Sequence, residues 1–153
     1  MDMLGLEPTV KNRQKWMATL ACSPLSEVER AWSELPQKPG FQFLRPPQTG
    51  LIMVRARAGG KGVRFNLGEM VITRCTVRID SGQVGCAYVM GSSHRHAELA
   101  AVFDALMQDR RQNRGIAELA IAPLAAMRRR QEEQKAAAAA ATKVDFYTLV
   151  RGE

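Results

Sequence analysis

The sequence predicts an α+β fold, an antiparallel β-sheet with N-terminal and C-terminal helices packed on it. Two observations carry that prediction. Between Gly50 and Ile79, apolar and β-branched residues alternate with arginines at period two, on either side of a Gly-Gly-Lys-Gly stretch. On both flanks the spacing changes to helical, with Trp16, Met17 and Leu20 before the sheet and Leu99, Phe103 and Met107 after it.

The elements follow in order. Val10–Ala21 reads as a short helix ended by Ser23-Pro24. Ser26 is expected to cap a second helix, with Glu27 and Glu29 in its first turn, where the helix dipole favours them. That helix carries Val28, Trp32 and Leu35 and stops at Pro36. Phe41–Leu44 is expected as a short strand, broken by Arg45-Pro46-Pro47. Three or four antiparallel strands follow through Met90. In the first, Ile52, Val54, Ala56 and Ala58 oppose Leu51, Met53, Arg55 and Arg57. In the second, Val71, Thr73, Cys75, Val77 and Ile79 oppose Met70, Ile72, Arg74, Thr76 and Arg78. Asp80-Ser81-Gly82-Gln83 is a hairpin connection.

Gly91-Ser92-Ser93 marks a turn into an amphipathic helix, Ser93–Gln108, with His96, Leu99, Ala100, Phe103 and Met107 on its apolar stripe. Gln112–Gly115 reads as a break. Ala122-Pro123 then starts a last helix that runs through Arg128–Arg130 into the alanines 136–141. The alternation in Lys143–Arg151 predicts a final strand. Residues 1–11 are expected to be a flexible extension and 12–153 a single domain.

With 153 residues, the chain is long enough to bury roughly 70% of its unfolded surface. Twenty-two basic against 15 acidic residues give a net charge of +7, which suits nucleic acid, a phosphorylated ligand or an acidic protein surface. Cys22, Cys75 and Cys86 have no C-x-x-C spacing, so reduced cytoplasmic thiols are expected rather than a disulfide framework or a zinc site. No apolar stretch has the length of a signal peptide or of the ~20 residues that span a bilayer, so no membrane association is expected.

The candidate ligand-facing or interface residues are Arg55, Arg57, Lys61, Arg64, His96 and Glu98. The four cations lie on strands or beside the glycine loop, where guanidinium and ammonium groups suit an anion. Gly59–Gly62 is not a P-loop, because Gly62 stands where Ser or Thr would hold the metal and both flanks are strands. His94 and His96 are two apart, not the i, i+4 that puts two ligands on one helix face, so no metal site is expected. His96 reads as a satisfied, partly buried side chain, with a catalytic base as its sharper alternative. Glu98 and Asp104 are read as surface or interface groups, and Cys75 and Cys86 as core thiols that face each other across the hairpin. No catalytic residue is assigned.

Four blocks, in order, resemble one family. They are Arg13–Met17 (RQKWM); Thr49-Gly50-Leu51 through Ala58-Gly59-Gly60; Gly91 with His96-Ala97-Glu98 and Asp104-Ala105-Leu106; and Ile121–Leu124 with Val144-Asp145-Phe146 and Val150-Arg151-Gly152. The chain resembles the PhnG family of the bacterial carbon–phosphorus lyase core complex over about residues 12–152. The resemblance implies an accessory subunit in phosphonate breakdown. Working with PhnH, PhnI and PhnL, it would support displacement of adenine from ATP by a phosphonate, giving ribose 1-methylphosphonate 5-triphosphate. It implies PhnJ as a further partner, nucleosidase chemistry on PhnI, and no cofactor bound by this chain alone, ATP being a substrate of the complex. A basic nucleic-acid-binding domain is the alternative from charge, and an independent enzyme using His96 and Glu98 is a third reading.

Overall fold

A computed structural model describes residues 8–142. Helix α1 spans Val10–Cys22, with the Thr9 hydroxyl accepting the Asn12 N–H at 3.3 Å, and α2 spans Leu25–Glu34. Pro24, not Ser26, occupies the N-cap of α2, and Val10 and Lys11 belong to α1. Three strands follow: β1 (Phe41–Arg57), β2 (Arg64–Ile79) and β3 (Val84–Met90), in one antiparallel sheet of order β1-β2-β3. Then come α3 (His94–Gln108) and a continuous helical stretch from Asn113 to Ala141. Its parts are α4 (Asn113–Ile116), a π-helical segment (Ala117–Ile121) and α5 (Ala122–Ala141). The predicted final strand, Lys143–Arg151, lies outside the described residues.

Two predicted boundaries are corrected. Phe41–Leu44 and Gly50–Arg57 form one strand, because the register slips at Phe43/Arg45 and Arg45/Gln48 and so absorbs Pro46-Pro47. β1 is an edge strand, where a residue without an N–H costs the ladder little. The last helix begins near Asn113, not at Pro123. The π turn just before Pro123 loosens the hydrogen-bond ladder at the point where proline has no donor to give it.

Helix α3 is the centre of the molecule rather than an amphipathic surface helix. Eleven of its residues are buried, because the sheet covers one side and α1 and α2 cover the others. Ser93 caps it as predicted, its hydroxyl accepting the His96 N–H at 3.3 Å. Phe103, Leu99 and Leu106 are almost fully buried, each contributing about 1.5–3 kcal/mol. The Trp32 ring meets Phe103 edge-on, with centroids 6.2 Å apart. β3 packs so closely on α3 that a Cβ on Gly85 would lie 1.9 Å from the Ala101 carbonyl oxygen.

β3 pairs only with Ile72–Arg78. β1 and β2 continue past it, paired from Leu51↔Val71 to Arg57↔Arg64. The outer half of the hairpin is therefore a two-stranded arm, closed by the tip Ala58–Val63, where Gly59 has φ +56°.

Candidate partner-binding site

The arm collects four of the six predicted site residues. Arg57 pairs with Arg64 and Arg55 with Asn66, so register puts the three guanidinium groups on one face, with Lys61 in the tip. All four are exposed, and none has an ion pair within the described residues. Arg57 reaches only the Gly62 carbonyl, at 3.4 Å. The same face carries Leu51, Met53 and Val71, and the opposite face carries Ile52, Phe65 and the half-buried Val54 and Met70.

The strand arginines divide between two faces. Thr49 pairs with Thr73 on the helix-covered face, and Leu51, Arg55 and Arg57 continue that face outward along the arm. Arg74 and Arg78 lie on the other face, and register adds Arg45 to them opposite Thr76. A groove of roughly 480 Å³ crosses that outer face at the root of the arm, lined by Gln48, Thr49, Ile52, Ile72, Arg74 and Tyr88. Arg74 approaches Gln48 Oε1 at 3.5 Å, a marginal contact, and is otherwise open to an anion.

His96 and Glu98 belong to α3, not to the arm. His96 is buried, with Nε2 2.8 Å from the Leu20 carbonyl, and it ties α1 to α3 as the satisfied side chain expected. Glu98 pairs with Arg95, which also reaches Glu29 at 3.8 Å and lies over the Trp32 ring. His94 turns the other way, toward Thr49, with Nε2 and the hydroxyl 3.2 Å apart. Hydrogen-bond direction decides what this contact can do. Thr73 donates to the Gly91 carbonyl at 2.7 Å, so Thr49 donates to Thr73 and His94 must donate to Thr49. The imidazole therefore does not withdraw the threonine proton. The chain Gly91–Thr73–Thr49–His94 latches β1, β2 and the turn into α3.

Asp104 departs most from expectation. Predicted as a surface or interface group, it is wholly buried. Its carboxylate accepts from Arg13 Nε (3.1 Å) and Nη2 (2.7 Å), Trp16 Nε1 (2.8 Å), the Cys86 backbone N–H (2.9 Å) and Gln108 Nε2 (3.4 Å). This bidentate pair raises the Arg13 guanidinium above its ordinary pKa, the hydrogen bond to Asp104 being the main cause. The hub joins α1, the β3 edge and α3. Arg13 and Trp16 are three apart, on one helix face, which was the available signal.

The thiols do not face each other, since Cys75 pairs with Ala87 and Cys86 with Thr76, on opposite faces. Burial, then the charge of Glu98, pushes the Cys75 thiol up to about 11. Burial also raises Cys86, mainly, with Asp104 adding to it. Both are poor nucleophiles at neutral pH. Among the described residues, no group of three His, Cys, Asp or Glu side chains could hold a metal ion, and no helix is long and apolar enough to cross a membrane.

Fold and site together define an assembly subunit: a well-packed helical body that presents a cationic, apolar arm. Comparison with known proteins agrees. The family model described as phosphonate metabolism protein PhnG matches residues 11–152. The chain is also 42% identical, over 144 residues, to the alpha-D-ribose 1-methylphosphonate 5-triphosphate synthase subunit PhnG of Rhizobium meliloti (strain 1021). That match covers 94% of this chain and 92% of the relative. The chain belongs to the PhnG family of phosphonate-metabolism proteins.

Proposed function

We propose that this chain is the PhnG subunit of a ribose 1-methylphosphonate 5-triphosphate synthase. The observation that carries the reading is the near full-length identity to a subunit of that name. In the reaction, a phosphonate oxygen replaces adenine at the ribose carbon of ATP. PhnI, PhnH and PhnL are the partner subunits, and PhnJ belongs to the larger assembly that goes on to cleave the carbon–phosphorus bond. The complex works in the cytoplasm. This chain binds no cofactor of its own, and ATP is a substrate of the assembled enzyme.

Its part is to complete the assembly and to offer positive charge. ATP and a phosphonate are both anions, and fixed guanidinium groups offset their repulsion and orient them. Arg55, Arg57 and Arg64, exposed and without acidic partners among the described residues, support that role. His96 and Glu98 do not, because each is already engaged within the body.

The test is phosphonate-dependent release of adenine from ATP by the reconstituted subunits, with and without this chain. Turnover is expected to need this chain as well as PhnI. An unchanged rate when it is omitted, or turnover by this chain alone, would overturn the reading.

A further inference from the structure

We infer that the β1–β2 arm is a docking arm, seated in an apolar groove with acidic walls on a partner subunit of different sequence. The existence of a partner rests on the function proposed above; which surface docks, and what it docks against, rest on the arm itself.

The arm lacks what would stabilise it alone. From Leu51↔Val71 outward no third strand joins it among the described residues, and a two-stranded hairpin is marginal in water. It nonetheless displays large apolar side chains on both faces. Leu51 is 62% exposed, Met53 51% and Val71 41% on one face; Ile52 is 41% and Phe65 45% on the other. Leu67, at the register shift between Val54 and Arg55, is 64% exposed. A flat surface would cover one face and leave the other wet. A groove covers both.

Charge fixes the chemistry of that groove. Arg55, Arg57, Lys61 and Arg64 have no carboxylate partner in the described chain. Burying them without one would be costly, so the groove must bring acidic groups. A second copy of this chain is poorly equipped to supply them. Its Glu27, Glu29, Glu98, Glu118, Glu132 and Glu133 already pair with arginines of their own helices or of a neighbouring helix, and Asp104 is buried on Arg13, which leaves Glu34, Glu69 and Asp80, on three separate elements, as the exposed described carboxylates outside these pairs. Two copies would also bring +7 against +7. The occupant is therefore an acidic heterologous subunit.

The experiment measures binding of this chain to co-expressed PhnI, PhnH and PhnJ by titration, at two salt concentrations. Wild type is expected to bind, and more weakly at high salt. Leu51→Glu with Met53→Glu, both at exposed positions, should bind at least tenfold more weakly while the isolated variant unfolds at the wild-type temperature. Arg55→Glu with Arg57→Glu should lose at least tenfold as well, and most of the salt dependence with it. This second pair touches no core and decides the matter should the first fail to fold. Wild-type affinity in both variants would overturn the docking arm and leave the proposed function standing. No binding by wild type would overturn both. A dimer of this chain by light scattering, dissolved by Leu51→Glu with Met53→Glu, would overturn the heterologous occupant.

Discussion

The body and the arm use similar side chains to opposite ends. In the body an arginine, Arg13, is matched by a buried carboxylate with further donors around it, and the large apolar groups of α3 are sealed between sheet and helices. In the arm, three arginines of the same sheet stand without a carboxylate partner among the described residues, beside apolar side chains open to water. One region is internally satisfied and the other is not. Stability therefore resides in the body, and what the arm lacks must come from outside.

The comparison breaks or sharpens under four measurements. Asp104→Ala should have the largest effect, a loss of roughly 3–5 kcal/mol by urea unfolding, because it strands Arg13, Trp16 and the Cys86 N–H together. A loss below about 0.5 kcal/mol would mean that the hub is incidental to the body. Gly85→Ala should cost about 1–3 kcal/mol, since its methyl would press into the α3 backbone. Unchanged stability there would show that β3 and α3 can part freely.

Alkaline pH gives the third measurement. The folded Cys75 thiol titrates near 11, above its unfolded value of about 8.5. The folded state thus holds this proton more tightly. Its contribution is full below about pH 8.5 and is lost as pH rises toward 11. Folded protein at pH 8 should leave Cys75 unalkylated by iodoacetamide, and unfolding should expose it; rapid labelling of native Cys75 would contradict its burial. The smallest effect belongs to the arm. Arg57→Ala should alter the stability of the isolated chain by no more than about 0.5 kcal/mol. In the assembled enzyme the same change should lower turnover about ten- to hundredfold, the loss of one charge-assisted contact worth roughly 1.5–3 kcal/mol. Wild-type turnover would leave Arg57 a docking residue or a solvated one.

Much of this division was legible from period alone. Alternation within Gly50–Arg57 and within Glu69–Ile79 assigned those side chains of β1 and β2 to their faces correctly, because a strand offers only two, whereas Ala58, read as part of the strand, lies in the turn. Alternation within each strand says nothing about how the two align, so the split of Arg55 and Arg57 from Arg74 and Arg78 needed the register. Nor does it reveal where β3 stops, so the arm itself was hidden. Ser93 as a cap and His96 as a satisfied side chain followed from local chemistry. Asp104 did not, since its main partner lies 91 residues away. The family blocks make sense in hindsight: Arg13 and Trp16 meet Asp104 in the hub, while Thr49 and Gly91 meet in the latch. The helix boundary near Pro123 was misplaced because a π turn removes the conflict that proline normally announces.

Pro46 and Pro47 carry one further consequence. They sit on the outer edge of the sheet that the described residues form, at the root of the arm and inside a slip of register. Neither has an N–H, so a foreign strand laid along that edge would find no donor from either residue and would meet a local change of twist. Edge-to-edge polymerisation, the usual hazard of a long uncovered strand, is interrupted at this point. The protein can thus keep a sticky hairpin on display without its outer border acting as a continuous template for fibrils.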